Sequence, residues 1–93
     1  MSRMYRNKME YIEAIKTVLE AREDFKDLTY NRSTTGEEYL FLQAITGDVF
    51  MFEITGLKNE QIFHIMAQVE CGQRPECQIT DRDKRLELGK LFN

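Results

Sequence analysis

His64 is the only histidine of the chain, and with Cys71 and Cys77 it makes up the one group whose side-chain types suggest metal or thiol chemistry. His64 and Cys71 stand seven positions apart, two helical turns and therefore one face, and Cys77 could supply the third of the roughly three protein ligands a zinc site needs. The gap between the two cysteines, however, is neither that of a redox pair nor a usual metal-ligand spacing, so both read as reduced thiols of a reducing compartment. Cys71 as nucleophile with His64 as base fails on reach: about 10 Å of helix separates them, against a hydrogen-bond distance near 3 Å. Placed mid-helix between Phe63 and Ile65, His64 reads as an ordinary helix residue.

The carboxylates lead to the same expectation. Glu23 with Asp24 and Glu37 with Glu38 are neighbours in sequence rather than facing pairs, and acid–base work needs two groups that flank a substrate. Gly36, Gly47, Gly56, Gly72 and Gly89 occur singly, so no glycine-rich loop can cradle a phosphate. The sequence therefore predicts a protein that is not an enzyme and holds no metal or cofactor.

Charge offers a second kind of chemistry. The 93 residues carry a net charge of −3, but Arg3, Arg6 and Lys8 are unopposed at the start, and Arg82, Lys84 and Arg85 lie near the end among Asp81, Asp83 and Glu87. If these two groups met in space they would make a basic face, the basis of an alternative reading as a nucleic-acid-binding accessory protein.

The elements that must position these residues are legible from periodicity. Tyr39-Leu40-Phe41-Leu42 and Val49-Phe50-Met51-Phe52 flank the polar break Thr46-Gly47-Asp48 and predict a β-hairpin at the centre of the core. With Ile45 opposite Val49, the even positions Leu40, Leu42, Ala44, Phe50, Phe52 and Ile54 share one wholly apolar face. A two-residue Gly47-Asp48 turn would instead pair Thr46 with Val49 and set Leu42 against Glu53, wasting apolar side chains worth roughly 1.5 to 3 kcal/mol each. A bulge could reconcile turn and burial.

Met9, Ile12, Ile15, Val18 and Leu19 recur at helical spacing, with Asn7 or Ser2 as cap, and predict a helix over about 4–24. Strands follow near 27–32, 38–45 and 49–55. A second helix near 58–71 carries Leu57, Ile62, Phe63, Ile65, Met66 and Val69, capped by Asn59 or Thr55 and ended by Gly72. Beyond Pro75, Thr80-Asp81-Arg82-Asp83 has the pattern of a cap before a last helix near 81–91 with Leu86, Leu88, Leu91 and Phe92. The fold class expected is one α+β domain spanning residues 1–93, α-β-β-β-α-α, two-layered, with both long helices on the even face of a three-stranded antiparallel sheet. Double-stranded-RNA-binding domains share the order helix, three strands, helix. They present a basic cluster at the start of the last helix, where this chain has Lys58-Asn59-Glu60.

What remains is the odd face, where Tyr39, Phe41, Ile45, Val49 and Met51 would form an apolar patch on a side that a two-layer domain leaves to solvent. Either the last helix or the N-terminal segment folds over it, or it is a protein interface. The second option predicts a small interaction or regulatory module that pairs as a homodimer through this face. A pocket between helix and sheet would make a third class, a small-molecule-binding domain. No apolar run reaches the roughly 18 residues needed to span a bilayer, and the start lacks a secretory segment, so the expected setting is the cytoplasm.

Overall fold

A computed structural model describes residues 8–90. The elements run α1 (Lys8–Leu19), β1 (Phe25–Arg32), β2 (Glu38–Ala44), β3 (Val49–Glu53), α2 (Asn59–Glu70) and α3 (Arg82–Gly89). This is the expected α-β-β-β-α-α order, with three antiparallel strands in the sheet order β1-β2-β3.

Both hairpins use one device. Ala44 and Ser33 each accept a hydrogen bond from the amide three residues on, Gly47 and Gly36, and each donates to the carbonyl four residues on, Asp48 and Glu37. The glycine in each loop has φ +97, a left-handed conformation that an L side chain resists. A three-residue loop closed by a left-handed glycine is a turn with a bulge, and it satisfies both the turn chemistry and the burial pattern. The pairing is Gln43 with Val49, Leu42 with Phe50 and Leu40 with Phe52, two residues away from the expected Ile45 to Val49 pairing. A shift of two preserves the faces, so the even positions remain together. Ile45 does not: it sits in the loop, 63% exposed.

α1 stops at Leu19, short of the expected 24, because the apolar stripe ends there and Glu20 to Asp24 offer nothing to bury. The expected start near residue 4 and the Asn7 and Ser2 caps lie outside the described residues. β1 begins at Phe25, two residues early, where Phe25 packs on the core beside a register shift. α2 is preceded by Lys58, whose N–H donates to the Gln61 side chain at 2.8 Å, rather than by a cap at Asn59 or Thr55. Asp81, not Thr80, caps α3, accepting the Lys84 N–H at 2.8 Å.

Ile12 of α1 and Ile62, Ile65 and Met66 of α2 bury against Leu28, Leu40, Phe52 and Ile54 of the even face. α3 lies on the other side, where Leu88 closes a second cluster with Tyr39, Phe41 and Met51. The segment Cys77–Ile79 lines the open edge of β3: Glu53 N–H donates to the Cys77 carbonyl at 3.0 Å and Ile79 N–H to that of Met51 at 2.7 Å. That edge is thus partly shielded from pairing with another chain.

Candidate functional site

Most of the described residues expected to carry an interface or a nucleic-acid site are engaged within the fold. Tyr39, Phe41 and Met51 are buried beneath α3, with Val49 and Ile79 packed against them. The homodimer reading requires this face open, and the chain covers it with its own last helix. Arg85 fixes that cover, donating to the carbonyls of Val49 at 2.7 Å and Ile79 at 3.2 Å. Lys84 stands 5.5 Å over the Tyr39 ring.

Lys8 lies on the opposite side of the sheet from Lys84 and Arg85, ion-paired to Glu38 at 2.7 Å. Arg82 is exposed at the start of α3, and Arg3 and Arg6 lie outside the described residues. The described members of the two basic groups therefore do not make one face.

The carboxylates are committed as well. Glu38 accepts Lys8 Nζ, the Tyr30 hydroxyl and the Gly56 N–H, joining α1, β1, β2 and the turn before α2. Burial opposes its ionisation, but these donors outweigh it and hold the carboxyl down at about 2, while burial and the bond to Glu38 push Tyr30 up to about 12. Glu37, bonded by the Ser33 and Thr35 hydroxyls, is also held at about 2. Carboxylates stabilised in this way are weak bases and, at neutral pH, hold no proton to give.

His64 and Cys77 line one shallow, open groove between α2 and Pro75, with Glu60 and Gln61. Burial raises the Cys77 thiol, and Cys71 stands exposed past the end of α2. Among the described residues no three His, Cys, Asp or Glu side chains gather as metal ligands.

The site that sequence reasoning left unplaced is a cleft of about 200 Å³ at the hairpin end of the even face. Its origin is a mismatch of lengths. α1 and α2 are 12 residues each and both run from the Glu38 end of the sheet towards the β2–β3 loop, where they stop at Leu19 and Glu70. The sheet extends further. Leu40 and Phe52, under the helices, are fully buried, whereas Leu42, Ala44 and Phe50, nearer the loop, are only half-buried. These three form the floor, Leu19 and Phe25 one wall, and Met66 and Val69 the other.

At the rim, Arg22 bridges the α1–β1 turn to α2, with Nη1 2.5 Å from Glu70 Oε1 and Nε 3.2 Å from Asp24 Oδ1. Asp24, followed by Glu70, raises the guanidinium's already high pKa, and Arg22 in turn holds Asp24 below its usual range. Gln43 completes the polar edge. The arrangement can take an apolar group against the floor and a polar one at the rim, where both carboxylates, Asp24 and Glu70, are bonded to Arg22. No family model, curated protein or solved structure matches the chain.

Proposed function

We propose that this protein is a non-enzymatic binding module whose ligand is a compact small molecule with an apolar body, held in the cleft between α2 and the hairpin. The observation that carries the reading is the half-burial of Leu42, Ala44 and Phe50 in a concave site beside the fully buried Leu40 and Phe52 of the same face. Apolar side chains left in a concave, partly open site gain free energy when a ligand removes their surface from water, about 25 cal/mol per Å². Support for the absence of catalysis comes from the carboxylates Glu37 and Glu38, both locked in hydrogen bonds as anions. The unpaired thiols Cys71 and Cys77 fit a reducing, cytoplasmic setting. No helix among the described residues is long and apolar enough to cross a membrane.

An engineered apolar cavity of about 150 Å³ holds a benzene ring, so a space of this size suits one aromatic ring rather than a drug-sized ligand. The test is a methyl-detected NMR titration with toluene, repeated on Ala44→Phe, which fills the floor. Saturable shifts at Leu42, Met66 and Val69 that disappear in a folded Ala44→Phe support the reading. Shifts that survive the filling, or that occur only around Ile79 and Leu88, overturn it.

A further inference from the structure

The rim of the cleft carries a surplus of negative charge. α1 ends at Leu19 and α2 at Glu70, and both terminal residues line the cleft, so two helix C-termini, each equivalent to roughly half a negative charge, converge on its mouth. α2 has no basic residue in its last turn to offset this, whereas α1 has Lys16 there, ion-paired to Asp27 at 3.0 Å. Among the described residues that line the cleft Arg22 is the single cation, and it is shared by two carboxylates, Asp24 and Glu70, leaving a surplus negative charge. The same turn carries Glu20 and Glu23, both exposed. The floor, by contrast, is wholly apolar.

From this juxtaposition of apolar floor and anionic rim we infer that the cleft selects a monocationic amine on a single aromatic ring, an arylalkylamine, with the ring on Leu42 and Phe50 and the ammonium beside Glu70 and Asp24. The inference rests on the proposed ligand site and adds to it the charge of the ligand. A carboxylate on the same ring would have to compete with Asp24 and Glu70 for Arg22, against the field of both helix ends. The ammonium meets the surplus negative charge and shares the two carboxylates with Arg22.

The experiment compares three probes of one shape, 2-phenylethylamine, ethylbenzene and phenylacetate, by NMR titration of the intact chain at low ionic strength. Two helix ends and one unbalanced carboxylate should favour the amine over phenylacetate about ten-fold, with ethylbenzene between them. Glu70→Gln should weaken the amine about three-fold and leave ethylbenzene unchanged, the second probe reporting that the cleft is intact. Raising the salt to about 1 M, where the Debye length falls to near 3 Å, should erase the preference but not the binding of ethylbenzene. Equal affinities for all three probes would overturn the inference while leaving the ligand site standing. Tightest binding of phenylacetate would overturn it in favour of Arg22 as the anchor, and an amine affinity untouched by Glu70→Gln would overturn it outright. Absence of saturable shifts with every probe would overturn the site and the inference together.

Discussion

Glu38→Gln tests the electrostatic framework on which both layers depend. The side chain of Glu38 is 15% exposed and that of Lys8 17%, so the pair is more sheltered than a surface ion pair. Its carboxyl falls from 4.5 to about 2 in the folded protein. At about 1.4 kcal/mol per unit that depression is worth at most roughly 3.5 kcal/mol, and about 2 after allowing for residual solvent screening. A depressed carboxyl stabilises the fold at pH above its unfolded value and loses that contribution as the pH falls through the folded one. The window therefore runs from about 4.5 down to about 2. Gln keeps the shape but abolishes the titration. In urea unfolding at neutral pH the variant should be about 2 kcal/mol less stable than the wild type, and the gap should close between pH 4.5 and 2. Glu37 titrates in both proteins and cancels in the difference. A gap that is absent at neutral pH, or that stays constant down to pH 2, would refute the assignment of Glu38 as the shared acceptor of Lys8, Tyr30 and the Gly56 amide.

Phe52→Ala, at a fully buried position under both helices, should cost about 3 to 5 kcal/mol and shift the denaturant midpoint accordingly. Gly36→Ala and Gly47→Ala should each cost about 1 kcal/mol through backbone strain alone, since an added Cβ meets nothing within 4 Å at either site; thermal midpoints of the two variants should fall alike. Arg85→Ala removes the bond from α3 to Val49 of β3 and the bond to Ile79 of the segment before α3, about 2 kcal/mol; hydrogen exchange should accelerate over 79–88 and sedimentation should detect self-association through the uncovered Tyr39, Phe41 and Met51.

The alternation of Leu40, Leu42, Phe50 and Phe52 carries the sheet's faces on its own, because a register error of two residues leaves every side chain where it was. Ile45 marks the cost of that error: counted as part of the odd face, it belongs to a three-residue loop whose left-handed Gly47 decides the turn. The fate of the odd face was open in the sequence because α3 is weakly amphipathic; Leu88 is buried there, while Leu86 is 61% exposed. Arg85, an apparent nucleic-acid ligand by charge, spends its donors on backbone carbonyls, and no pattern in sequence distinguishes these uses. The cleft was least legible of all. Leu42 and Phe50 look like core residues, and only the lengths of α1 and α2 relative to the sheet reveal that the core stops short of them. The apolar stripe of α1 could have given a hint, since it ends at Leu19, ahead of the polar turn Glu20 to Asp24.

The ligand site is tested most directly by intermolecular NOEs between ethylbenzene and the methyl groups of the protein in solution. Cross-peaks from the aromatic protons to Leu42, Met66 and Val69 are the predicted result. An ethylbenzene ring that gives none of these, or that contacts only the methyl groups of Ile79 and Leu88, would contradict it.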